Sequence, residues 1–92
     1  MELDHTSKCL SKLGNPTRLG VFRLLVQASV ESLTVGDIQN YLDVPAPILS
    51  HHQSHLVWAS LIVQECDGRT LHCKTQPGVM IELSGFLWMN AA

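Results

Sequence analysis

Along most of this chain apolar positions recur at three- and four-residue steps, so the pattern runs from helical to ribbon-like and back to helical. Leu3, Thr6, Leu10 and Leu13 make one narrow stripe, which predicts a first helix ended by Gly14. Asn15 is placed to cap a second helix with Pro16 at its first position, where a missing N–H costs nothing. Leu19, Val21, Phe22, Leu25 and Val26 give that helix a broad face for the core. A loop from Ser29 to Leu33 follows. Thr34 and Asp37 then have the spacing of a near capping box, and Val35, Ile38, Tyr41 and Leu42 line one side of a short third helix. Pro45 and Pro47 bias Val44 and Ala46 away from helical backbone, so residues 43–47 read as a tight break.

A fourth helix is expected from Pro47 to about Ser60. Leu49, Leu56, Val57 and Ala59 face inward there, and Ser50, His51, Ser54 and His55 are left largely on the other side. Ile62 to Cys66 and Thr70 to Lys74 read as two strands joined through Asp67-Gly68, which is taken to supply the positive φ angles of a tight turn. A last helix begins after Gln76-Pro77-Gly78. Val79, Met80, Ile81, Leu83, Phe86, Leu87, Trp88 and Met89 make it apolar nearly all round, more than a protomer of this size can bury. The expected class is mostly α with a small β-hairpin (α+β), in the order helix-helix-helix-helix-strand-strand-helix, as one domain over residues 1–92. A polar-faced helix followed by a ribbon with a glycine turn is the layout of a winged helix-turn-helix.

Ninety-two residues bury only a small core, so association with a second copy is a physical expectation. The pairing surface is expected on the first and last helices, at Leu3, Leu10, Leu13, Val79, Met80, Leu83, Phe86 and Leu87. The hydrophobic fraction is 46%, yet no apolar run reaches the roughly 18 residues a membrane span needs. Met1 to His5 has no basic stretch leading into an apolar one, so no export signal is read and a cytoplasmic location is expected. Three cysteines at irregular spacing suit reduced thiols rather than a disulfide scaffold. Catalysis is the least favoured class. No nucleophile, base and orienting carboxylate occur together at a recognisable spacing, and there is no glycine-rich phosphate loop. No cofactor is implied.

Four segments in order resemble the ArsR/SmtB family of winged helix-turn-helix regulators. They are Leu13-Gly14-Asn15-Pro16-Thr17-Arg18-Leu19, Leu33-Thr34-Val35-Gly36-Asp37-Ile38, Ser50-His51-His52 and the wing-like Asp67-Gly68-Arg69. The resemblance covers nearly the whole chain. It implies a homodimer, joined through its first and last helices, that represses transcription until an inducer releases it from a double-stranded DNA operator. The family's metal sites use a Cys-x-Cys run entering the third helix or Asp-x-His and His-x-x-Glu on the last. Thr34-Val35-Gly36 replaces the first and Glu82 alone stands on the last helix, so no metal is expected. His51 and His55 lie one helical turn apart, but no second pair of ligands stands at a fixed offset nearby.

Short hydrogen-bonding side chains on such a helix reach base edges or phosphates, and an arginine at a wing tip reaches the flanking backbone. The DNA-binding candidates are therefore Pro47, Ile48, Ser50, His51, His52, Ser54, His55 and Arg69. His52 is equally open to a packing role against the third helix, and Arg69 to that of a solvated turn residue. Net charge is −2, and from residue 46 to 78 Glu65 and Asp67 cancel Arg69 and Lys74. The expected salt dependence is therefore shallow, with binding that tightens in mild acid as histidines charge. Cys66, Cys73 and Cys9 are candidate thiol sensors, with plain packing as the alternative. Pairing the strands about Asp67-Gly68 sets Cys66 opposite Arg69 and Cys73 opposite Ile62, on the order of 13 Å apart. A second function class is a winged-helix interaction or thiol-sensing module with weak or no DNA binding, suggested by the low charge and by Trp58.

Overall fold

The computed structural model describes residues 1–28 and 31–89. Helix α1 (Leu3–Leu13) is followed by α2 (Pro16–Ala28), strand β1 (Leu33–Thr34), α3 (Val35–Leu42), α4 (Ala46–Trp58), β2 (Ile62–Asp67), β3 (Thr70–Thr75) and α5 (Val79–Met89). The helix boundaries follow local chemistry. Asn15 Oδ1 accepts from the amides of Thr17 and Arg18 at 2.9 and 3.2 Å, starting α2 as its spacing predicts. Thr34 and Asp37 exchange side-chain and backbone hydrogen bonds, both 3.1 Å, completing the capping box of α3. Asp43 in left-handed backbone at φ 53° ends α3.

Four inward faces differ from those read off the periodicity. In α1 the buried residues are Thr6 and Cys9, with Leu13 half-buried against the core, and Leu3 and Leu10 turn outward. Leu19 and Tyr41 are likewise exposed, so α2 is anchored by Val21, Phe22 and Leu25, and α3 by Ile38. In α4 the buried stripe is Leu49, Gln53 and Leu56, one amide among leucines. These helices close with Ala59, Leu61, Ile62, Cys73 and Val79 into one core. Its two cysteines serve as small apolar groups.

The sheet has three strands rather than the two expected. β1 joins Leu33, the last residue of the expected loop, whose residues 29 and 30 lie outside the described ones, to the capping Thr34; it pairs antiparallel with β3, Leu33 opposite Cys73 and Thr34 opposite His72, giving the order β1-β3-β2. The hairpin register is also shifted from expectation. Asp67 pairs with Thr70, which leaves Gly68-Arg69 as a two-residue loop. Positive φ falls on Gly68 (64°) and not on Asp67 or Arg69, as in a type II′ turn, whose twist suits a hairpin. Cys66 therefore faces Leu71 and Cys73 faces Gln64. Cross-strand partners share a face, so the two thiols are diagonal neighbours about 7–8 Å apart at Cα, not 13 Å. That is still too far to bond without backbone movement.

The molecule measures 46 × 23 × 19 Å, about twice as long as wide. Helix α5 follows a turn at Gly78 (φ 79°) and is held by Val79 and Leu83, and from Ser84 to Trp88 no residue is buried. No described helix is long and apolar enough to cross a membrane.

Candidate nucleic-acid interface

Burial of Leu49, Gln53 and Leu56 fixes which way the rest of α4 points. Pro47, Ile48, Ser50 and His51 are exposed, and His52, Ser54 and His55 are half-buried. The Ser54 hydroxyl donates to the Ser50 carbonyl at 3.1 Å, so its proton is spent on the helix itself. The rings of His52, His51, His55 and Trp58 run along the helix in edge-on contacts, with centroids 5.4, 4.7 and 5.3 Å apart. Trp58 is 66% exposed at the end of that row.

Two cations from elsewhere in the chain join this face. Arg18 of α2 donates through Nε to His52 Nδ1 at 3.0 Å, and Lys12 of α1 lies 3.0 Å from His55 Nδ1. Neither entered the expected DNA-binding set, because 34 and 43 residues separate each pair. Burial first, then Arg18 and His51, lowers the pKa of His52. Burial first, then Arg18, Lys12, His51 and His52, lowers that of His55. Both shifts oppose the charging of these two rings in mild acid. The positive charge beside α4 comes instead from Lys12 and Arg18, which a sum over residues 46–78 leaves out.

At the wing tip Arg69 is exposed, and Cys66 donates to the Gly68 carbonyl at 3.1 Å. Glu65 and Lys74 lie 3.9 Å apart on the exposed ribbon. Beneath it the Gln64 amide donates to Gln53 Oε1 at 3.4 Å, and both amides approach the Cys73 sulfur, at 3.8 and 3.7 Å. This buried polar group ties α4 to both long strands of the wing. Cys9 and Cys73 are buried and burial pushes both thiols up, so neither is readily a thiolate, whereas Cys66 is exposed. Among the described residues no group of three or more His, Cys, Asp or Glu could hold a metal ion.

On the opposite kind of surface, Leu3, Leu10, Met80, Ile81, Leu87 and Trp88 are uncovered, Trp88 at 80%. Phe86 and Leu13 are half-buried, and Val79 and Leu83 are already buried within the protomer, where they hold α5 to the core. Ile81 and Trp88 were not among the expected pairing residues and are, among the described residues, the most exposed of the large apolar side chains.

Similar architecture is found in solved structures. NolR from Sinorhizobium fredii superposes with a TM-score of 0.73 at 25% identity, over 96% of this chain and 85% of its own. The repressor BigR from Xylella fastidiosa gives 0.76 at 17% identity, over 97% of this chain and 88% of that one. The homodimeric winged helix-turn-helix DNA-binding domain of Mb0332 from Mycobacterium bovis, described as a possible ArsR-family transcriptional regulator, gives 0.72 at 16%, over 97% and 87%. The fold is the ArsR-type winged helix-turn-helix. In that fold α3 and α4 form the helix-turn-helix and β2-β3 the wing. No family model matches the chain, and no curated protein matches it.

Proposed function

We propose that this protein is a cytoplasmic, homodimeric transcriptional repressor that binds a specific double-stranded DNA operator through α4 and the wing. One observation carries the reading: the outward side of α4 holds exposed Ser50 and His51 with Arg18 and Lys12 seated beside His52 and His55. Ser50 and His51 read bases, Pro47 and Ile48 make apolar contact at the start of the helix, His55 lies toward phosphates, Ser54 joins it where its hydroxyl exchanges the Ser50 carbonyl for a phosphate oxygen, and Arg69 holds the flanking backbone. The uncovered apolar residues of α1 and α5 pair the two copies, so that two recognition helices meet successive major grooves.

Release is assigned to a soft electrophile, an oxidant or metalloid, acting at Cys66, the accessible thiol beside the wing tip. Full retention of the response to diamide and arsenite in Cys66→Ser would remove that inducer. Fluorescence anisotropy against the protein's own upstream region and a scrambled duplex tests the repressor reading. Tighter binding to the native sequence supports it. Equal affinity for both favours instead an interaction module, for which the exposed Trp58 is the supporting feature.

A further inference from the structure

We propose that Arg18 and Lys12 are positioning residues that lock His52 and His55 as Nε2–H tautomers, turning each ring into a fixed hydrogen-bond donor toward an acceptor on DNA. The inference rests on the DNA-binding reading and deepens it. A neutral imidazole carries one N–H, and which nitrogen holds it is set by the partner of the other. Guanidinium and ammonium groups only donate. At 3.0 Å from Arg18 Nε and from Lys12 Nζ, both Nδ1 atoms must therefore be bare acceptors, and the proton resides on Nε2. Among the described residues neither Nε2 has a hydrogen-bond partner.

The charged and titratable groups around the pair all favour this neutral form. Arg18 comes from α2, Lys12 from α1, and His51 from α4 itself, with Trp58 against the far edge of His55. A second proton on either ring would have to sit on Nδ1, facing a cation. The shared chemistry of the target is a hydrogen-bond acceptor: a purine N7, guanine O6 or thymine O4 in the major groove, or a phosphate oxygen. A fixed donor discriminates against the exocyclic amino groups of adenine and cytosine, which a freely switching imidazole would tolerate. The two cations thus contribute charge behind the rings and set what the rings read.

The test is long-range proton–nitrogen correlation on the full chain labelled with 15N-histidine. The expected spectrum shows protonated Nε2 and bare Nδ1 for His52 and His55. Arg18→Met moves His52 to a tautomer mixture and raises its titration midpoint, and Arg18→Lys restores both. Lys12→Met does the same to His55, which keeps the question decidable if the Arg18 variant folds poorly. Nδ1–H in the wild type, or rings indifferent to loss of their partners, overturns the lock. Binding to two series of duplexes, one with single base changes that delete an acceptor (7-deazapurine for N7, 2-aminopurine for guanine O6, 5-methyl-2-pyrimidinone for thymine O4) and one with single methylphosphonates, separates base from backbone acceptors. Loss of about tenfold at discrete positions in either series supports the donor role, and no loss in both overturns it. A chain that binds no duplex overturns the proposed function and the DNA half of this inference, whereas the histidine spectra still decide the lock.

Discussion

The outward side of α4 and the outward sides of α1 and α5 are left exposed by the same core, yet they are completed to different degrees. On α4 the polar groups meet partners from the same chain: Ser54 bonds Ser50, Arg18 bonds His52 and Lys12 bonds His55. On α1 and α5, Leu3, Leu10, Ile81, Leu87 and Trp88 are left exposed. A polar surface can be ordered by neighbours and still face water. An apolar one gains only when a second surface removes it from water. The first is ordered within a single protomer, whereas the second is stabilised only when another surface covers it, as in the proposed dimer.

The largest expected effect comes from breaking the apolar side. Leu87→Glu, at a residue free of the core, leaves the circular dichroism of the protomer intact, converts the dimer to a monomer in sedimentation, and weakens operator binding by roughly a hundredfold as the linked second half-site is lost. Breaking the polar side gives a smaller change. Ser50→Ala and His51→Ala each cost about 1–3 kcal/mol in anisotropy titrations on the operator and little on scrambled duplex, with the dimer unchanged. Thr34→Ala, which touches neither side, lowers unfolding stability by about 1 kcal/mol through loss of the α3 cap and serves as the control for fold alone.

Acid distinguishes the two surfaces in another way. Because burial and the nearby cations lower the pKa of His52 and His55, the unfolded chain binds more protons than the folded one just below the ordinary histidine value. The stability they contribute is present above that value and is lost as pH falls through the window down to their lowered folded values. Thermal melts from neutral to mildly acidic pH should show this decline. His52→Gln, which keeps an acceptor for Arg18, should flatten it. Smallest of all, Glu65→Gln changes stability by no more than about 0.5 kcal/mol in denaturant melts, since the Glu65–Lys74 pair is solvent-exposed.

Local chemistry made much of the architecture readable before any coordinates. Asn15-Pro16, the Thr34–Asp37 box and the proline break each act within a few residues, so the order of helices, the site of the wing and the polar side of α4 were legible. Faces were less so. In α1 the choice between Leu10 and Cys9 as the inward residue depends on what α2 and α4 offer, and Cys9 meets the Ala59 carbonyl 50 positions away at 3.5 Å. The hairpin register turned on whether Asp67 or Arg69 shares the turn with Gly68, and the two strands as a whole decide that.

The amino-acid sequence by itself determined the elements and which of them carry Ser50, His51, His52, His55 and Arg69, because periodicity, capping and turn formation are short-range. Only the tertiary structure decided that a two-residue β1 completes the sheet, that Gln53 is buried against Cys73, and that Arg18 and Lys12 stand behind the histidines of α4. Those contacts join segments far apart in the chain. Their loop-closure cost is met by the packing of the whole core rather than by any local preference.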